Sequence, residues 1–299
     1  MVAYSCSTCG GEILCDSTTA ATHCPYCGNQ TIVPGQFSIG YKPNYIIPFK
    51  FTPEQAKNAL RTHYRKKLFL PKEFTDKNQI DKLQGVYVPF WLFTGKCTGD
   101  ATFDGKKSRT HREGDYLVTD TSHYNVARKG SITFNKVPTD ASTKMPDDMM
   151  DSIEPFDFNE LKPFSTSYLP GFLADKYDVS LEDCSLRADK RCKNTTLQML
   201  SHDVKGYESS SIKHAKTTLE RDKVDYALLP VYMIKTKFEG KTYLFAMNGQ
   251  TGKLIGDLPA SKQKFTAFVG LLTAAITGIL FLTGFGGFVA DSIWTLLTY

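Results

Sequence analysis

FTAFVGLLTAAITGILFLTGFGGFVA, residues 265–290, runs for twenty-six positions without one ionisable side chain. At about 1.5 Å of rise per helical residue, Phe265 to Thr283 alone spans roughly 28 Å, close to the ~30 Å hydrocarbon thickness of a bilayer. The stretch therefore predicts a transmembrane helix over 265–283, inside a C-terminal anchor segment 262–299. A buried core helix would carry some polar face and folded chain on both sides, whereas only nine residues follow Ala290.

The flanks give an orientation. Lys262 and Lys264 precede the apolar run and no Lys or Arg follows it, so the bulk of the chain is expected on the cytoplasmic side of a cell membrane. Gly284–Gly287 (GFGG) reads as a break, and FVADSIWTLLTY as an interfacial tail anchored by Trp294 and Tyr299. One tilted helix continuing through Ala290 is the competing reading. The first twenty residues show neither a basic n-region nor an adequate apolar h-region, so insertion is expected to use the C-terminal segment.

About 260 residues remain for folded material, enough for a small module and one or two domains with real cores. Of the eight cysteines, five fall within the first twenty-seven residues. That clustering points to a metal and away from a disulfide scaffold. Cys6 and Cys9 form CSTCGG, Cys24 and Cys27 form CPYCGN, and fourteen residues separate the pairs. Two thiolates two residues apart can chelate one ion from a tight turn, with Gly10 and Gly28 freeing the backbone. Four thiolates close a tetrahedral Zn(II) shell, so the role expected is structural. The spacing resembles zinc ribbons of the transcription-factor-IIB type over residues 1–36. Rubredoxin-like iron would use the same ligands, and a redox dithiol would leave one pair unexplained. Cys15 and His23 lack the paired spacing and read as ribbon packing or surface.

Charge argues against nucleic acid as the ribbon's partner. Residues 1–41 contain no Lys or Arg and carry Glu12 and Asp16, while phosphate binding requires cations that displace counterions. The basic excess lies next door, with nineteen Lys and Arg against twelve Asp and Glu in residues 42–150. RTHYRKK (61–67) could face anionic lipid headgroups, although a solvated helix face is the simpler reading. KKSRTHR (106–112) reads as a hairpin or loop.

A weak internal repeat organises the middle of the chain into two α+β units, 37–150 and 151–261. PFKF (48–51) matches PFDF (155–158), and GVYVPFWLF (85–93) matches YALLPVYMI (226–234) about Pro89 and Pro230. Gly99 and Gly240 follow each proline by ten residues, which predicts strand, turn, strand in both copies. Between these markers Thr52, Pro53 and Gln55 open a helix with Ala56, Leu60, Tyr64 and Leu68 as its buried stripe. Ser180 caps a second helix carrying Leu181, Cys184, Ala188 and Cys192, cysteines that read as small core residues. NGQTGK (248–253) predicts a hairpin, since a phosphate-binding loop would need a longer glycine spacing and a following helix. The fold class expected is α+β: a zinc ribbon, two repeat-like units with antiparallel hairpins, and a C-terminal transmembrane helix.

No H-E-x-x-H, G-x-S-x-G or dinucleotide fingerprint occurs, and the six histidines are scattered singly. The expectation is no enzyme, no catalytic residue and no small-molecule substrate. Through CSTCG, CPYCGN, IIPFKFTPEQA, LPKEF, GVYVPFWLF, NGQTGKLIG and the terminal anchor, the chain resembles a bacterial family of zinc-ribbon membrane proteins. That resemblance implies partners such as phage shock protein A or flotillin-like scaffolds in membrane-stress responses. The function expected is a membrane-anchored cytoplasmic adaptor that presents a protein-binding surface, with a membrane-tethered nucleic-acid factor as the alternative.

Overall fold

A computed structural model describes residues 2–10, 12–25, 27, 29–33 and 41–282. The chain is mixed α+β. Its N-terminal strands are β1 (Val2–Ser5), β2 (Glu12–Cys15), β3 (Thr19–His23) and β4 (Gln30–Ile32). The short β5 (Tyr45–Ile46) precedes helices α1 (Pro53–Arg65), α2 (Lys72–Thr75) and α3 (Lys77–Ile80). Then come β6 (Gln84–Glu113), β7 (Tyr116–Asp140), α4 (Asp147–Ser152), β8 (Lys162–Pro163) and β9 (Leu173–Asp175). The long α5 (Leu181–His202) leads to β10 (Ser209–Phe238), β11 (Lys241–Asn248), β12 (Leu254–Gly256) and α6 (Lys262–Leu282).

One sheet runs in the order β12-β11-β10-β6-β9-β3-β4, with β7 also on β6, and β5 joined to β10 and β8. The backbone groups into two compact units. The first comprises Met1–Thr52, Gln84–Met233 and Ala246–Ile255; the second comprises Pro53–Leu83, Ile234–Phe245 and Gly256–Tyr299.

In the first unit the continuous apolar runs 85–93 and 226–231 are explained by burial on both sheet faces. Tyr87, Trp91, Tyr226 and Leu228 point into one core, with Ala20, Ala21, Cys184 and Ala188. Val86, Val88, Phe90, Leu92, Leu229 and Val231 enter another, with Ile47, Met150 and Phe156. The two runs pair directly and antiparallel, Pro89 opposite Leu228 and Pro230 opposite Tyr87. Phe49 of PFKF stacks on Phe172 at 3.9 Å between ring centroids, and Phe156 of PFDF meets Phe90 at 6.0 Å. Strand β5 joins the sheet parallel to β10, and Asn44 accepts from the Tyr226 amide at 2.9 Å.

Two sequence expectations are corrected here. Gly99 is not in a turn, because β6 continues through it and through 106–112 to a tip at Gly114 (φ 62°). The glycine serves a close approach instead: a Cβ on it would lie 2.9 Å from both Leu200 and Thr196 of α5, which packs over this face. Residues Ala101, Phe103 and Val126 continue the covered face under Leu197 and Leu200. The expected stripe on α1 also ends early, since Ala56, Leu60 and Tyr64 are buried but Leu68 lies beyond the helix and is exposed.

Other expectations match. Ser180 caps α5 by accepting from the Asp183 amide at 3.1 Å, and Glu239 (φ 47°) and Gly240 (φ 74°) form the β10–β11 turn. NGQTGK is a hairpin whose amides are used internally: Asn248 Oδ1 accepts from Gln250 and Thr251 at 2.9 and 3.0 Å, and the Gly249 amide donates to Pro230. Such a loop has no amide fan to offer a phosphate.

The second unit packs α1 and α2 around Tyr64, Phe74 and Phe245, with ring centroids 5.5–6.3 Å apart. Its α6 is long and apolar enough to cross a membrane by length and composition, and none of its apolar window is buried. The glycine break, Trp294 and Tyr299 lie outside the described residues.

Candidate metal centre

The four cysteines sit where two hairpins turn. The β1–β2 hairpin pairs Ser5 with Glu12, putting Cys6 and Cys9 in its turn. The β3–β4 hairpin pairs His23 with Gln30, putting Cys24 and Cys27 in the other. Local backbone bonds shape both knuckles: the Gly10 amide donates to Cys6 O at 2.9 Å and the Cys24 amide to Asn29 O at 2.8 Å. Gly10 has φ 71°, a left-handed conformation that explains a glycine there. Asn29 Nδ2 donates to Thr8 Oγ1 at 3.3 Å and ties one knuckle to the other.

All four Sγ atoms lie within 4.8 Å of one another. Cys6 and Cys27 are 3.9 Å apart and Cys9 and Cys24 3.7 Å. A disulfide needs about 2.05 Å, so these are separate sulfurs. A tetrahedron with metal–sulfur bonds of about 2.3 Å has edges of roughly 3.8 Å, and the cluster fits it. Among the described residues this is the one grouping of three or more Cys, His, Asp or Glu donors with metal-binding proximity. Neither Cys15 nor His23 belongs to it.

Cys6 and Cys24 are buried beside Ile13, while Cys9 and Cys27 reach solvent. The Cys6 thiol is held down at about 6, chiefly by the Thr31 hydroxyl 3.5 Å away and then by the backbone at Cys9 and Thr8. A thiolate is the form that binds a metal. Burial acts oppositely on Cys184 and Cys192, pushing them up to about 12 and 11. These are neutral core thiols, with Cys184 donating to Asp140 O at 3.4 Å.

The four-cysteine module belongs to the first compact unit and is fastened to it. Strand β3 pairs with β9. Gln30 Nε2 donates to Leu169 O at 2.8 Å and its Oε1 accepts from the Gly171 amide. Lys144 reaches Asp16 at 3.7 Å and Asp175 at 2.8 Å, supplying a cation that residues 1–41 lack.

A second constellation, not read from the sequence, lies along α5. Arg187 bridges the buried Asp140 (3.0 Å), Asp147 (2.9 Å) and Asp151 (3.6 Å). Arg191 binds Glu154 through both nitrogens at 2.8 and 2.6 Å. A cleft of about 380 Å³ beside them is lined by Thr139, Lys190, Asn194 and Gln198. Burial raises Asp140 to about 6 despite Arg187, and Asp140 Oδ2 lacks a hydrogen-bond partner among the described residues. The arginines stand four residues apart on one helix face, and DDMMDSIE (147–154) places acids at helical spacing; those were the available signals. Their opposite charges are mutually spent, which marks a structural network.

No family model matches the chain, and no solved structure matches it. An alignment of 317 positions with the "Uncharacterized protein YdjG" of Bacillus subtilis (strain 168) covers 90% of this chain and 93% of that protein at 32% identity. With that identity over nearly both full lengths, the chain belongs to the same family as YdjG.

Proposed function

We propose that the protein is a non-enzymatic adaptor held at the cytoplasmic face of a cell membrane by α6, with a structural Zn(II) on Cys6, Cys9, Cys24 and Cys27. The observation that carries this reading is α6 itself: an apolar helix with no buried residue in its membrane-length window. Lipid is the solvent that such a surface requires. The ribbon's closed set of four sulfurs supports a folding role for the metal, with no open position for a substrate. The antiparallel pairing of 85–93 with 226–231 supports reading the middle of the chain as two related α+β halves.

The adaptor's mechanism is local concentration, since holding a partner near the bilayer raises its effective concentration without a chemical step. Phage shock protein A or a flotillin-like scaffold is the partner implied by the resemblance of CSTCG, CPYCGN and GVYVPFWLF to the zinc-ribbon membrane family. The test is co-purification of such a scaffold with the detergent-solubilised full chain. Recovery is expected to fall in the Cys24→Ser/Cys27→Ser variant. Unchanged recovery removes the ribbon from the interface, and salt-sensitive DNA binding with no protein partner would favour the nucleic-acid reading. Metal analysis of a reduced preparation is expected to give one zinc per chain.

A further inference from the structure

We infer that the segment from the end of α1 to the start of α2, residues 65–72 (RKKLFLPK), is a second membrane contact that gathers anionic phospholipid headgroups around the base of α6. The inference rests on reading α6 as a membrane anchor. The turn and the helix base belong to the same compact unit, and they are bonded together. The Ser261 amide donates to Phe69 O at 2.7 Å, and Lys264 Nζ to Leu70 O at 2.6 Å. The Phe69 ring meets Phe265 at 5.5 Å and Phe268 at 5.4 Å between centroids. Where α6 enters hydrocarbon at Phe265, a segment fixed to residues 261–268 sits at headgroup depth.

Two features of the turn suit that depth. Leu68 is 74% exposed beside Phe69, an aliphatic side chain left uncovered at the foot of an apolar helix. Around it Arg65, Lys66, Lys67, Lys72 and Lys262 are exposed and form no ion pair among the described residues. In the same unit Lys57 and Arg61 do find a carboxylate, Asp81. Helix α1 ends at Arg65, and the Lys66 and Lys67 amides bond back to His63 and Tyr64 as the chain turns away. Lys66 and Lys67 therefore project from the turn, with Arg65 at the end of α1, Lys72 at the start of α2 and Lys262 at the start of α6 around it. The neighbouring acids in sequence are Glu73 and Asp76, against these five cations. Juxtamembrane cations of this kind attract anionic lipid within a Debye length, and an apolar residue beside them adds interfacial burial.

The test is amide hydrogen exchange across residues 65–70 in the full chain, reconstituted into nanodiscs of phosphatidylcholine or of phosphatidylcholine with phosphatidylglycerol. Exchange is expected to be several-fold slower on the anionic discs. That difference should vanish at high salt and in the Lys66→Glu/Lys67→Glu/Lys72→Glu variant, whose exchange along α1, in the same compact unit, reports whether that unit is folded. Leu68→Ser should also reduce the protection. Equal exchange on both discs overturns the inference while leaving the anchor intact. Failure of the chain to enter either disc overturns the anchor reading as well. Protection of the detergent-solubilised chain by inorganic phosphate alone would make this a free-anion site and overturn the lipid assignment.

Discussion

At the residue scale, the Thr31 hydroxyl beside Cys6 Sγ is a supporting group whose loss leaves all four sulfurs in place. Thr31→Val is expected to weaken metal retention about tenfold in competition with a chelator, the order found when outer partners of metal ligands are removed. Asp140 gives a pH signature. Burial lifts it from 3.8 to about 6, so the folded protein holds this proton more tightly than the unfolded chain. Its contribution to stability is fully present below about pH 4 and is lost as pH rises through about 6. Asp140→Asn should flatten that part of the stability curve by on the order of 3 kcal/mol, measured by denaturation across pH. Glu154 and Asp175, also raised by burial, would leave a residual slope. The cysteines were legible because chelation from a knuckle is local in sequence. Asp140 and Arg187 stand 47 positions apart, and nothing local shows that a strand end will meet a helix face.

At the element scale, β6 is the instructive case. Its burial alternates from Cys97 to Gly105, a two-residue period that is readable once the glycines are counted as inward positions. A glycine in a polar stretch reads equally well as a turn, and only the helix lying over Gly99 decides between the two. Gly95 is more constrained still, because a Cβ there would meet the Glu220 carbonyl at 2.4 Å, a backbone atom that cannot rotate aside. Gly99→Ala would press on Leu200 and Thr196 side chains, at a cost of about 1–3 kcal/mol. Gly95→Ala is expected to cost more than Gly99→Ala, and equal unfolding midpoints for the two variants would contradict the strand packing. The α5 cap was legible by contrast, since Ser180 and the apolar spacing behind it are near neighbours. Its removal in Ser180→Ala should cost about 1 kcal/mol, seen as a shift in thermal midpoint.

At the scale of the whole molecule, α6 was the most legible feature, because a long apolar run needs no tertiary information to be recognised. The full chain should stay with membranes through alkaline carbonate extraction, and a chain ending at Ala260 should be released with its metal-binding capacity retained. The sheet's assembly was the least legible part, because its pairings join distant segments. Strand β5 closes against β10, and Asn44 meets Tyr226 across 182 positions. At roughly 5–20 residues per second of synthesis, about 10–40 seconds separate the appearance of these partners. Residues 45–46 emerge long before the strand they join, so the first unit's sheet completes late, when most of the chain has been made. During synthesis its core therefore waits for β10, and refolding of the intact chain should be slow compared with that of a protein built from local contacts.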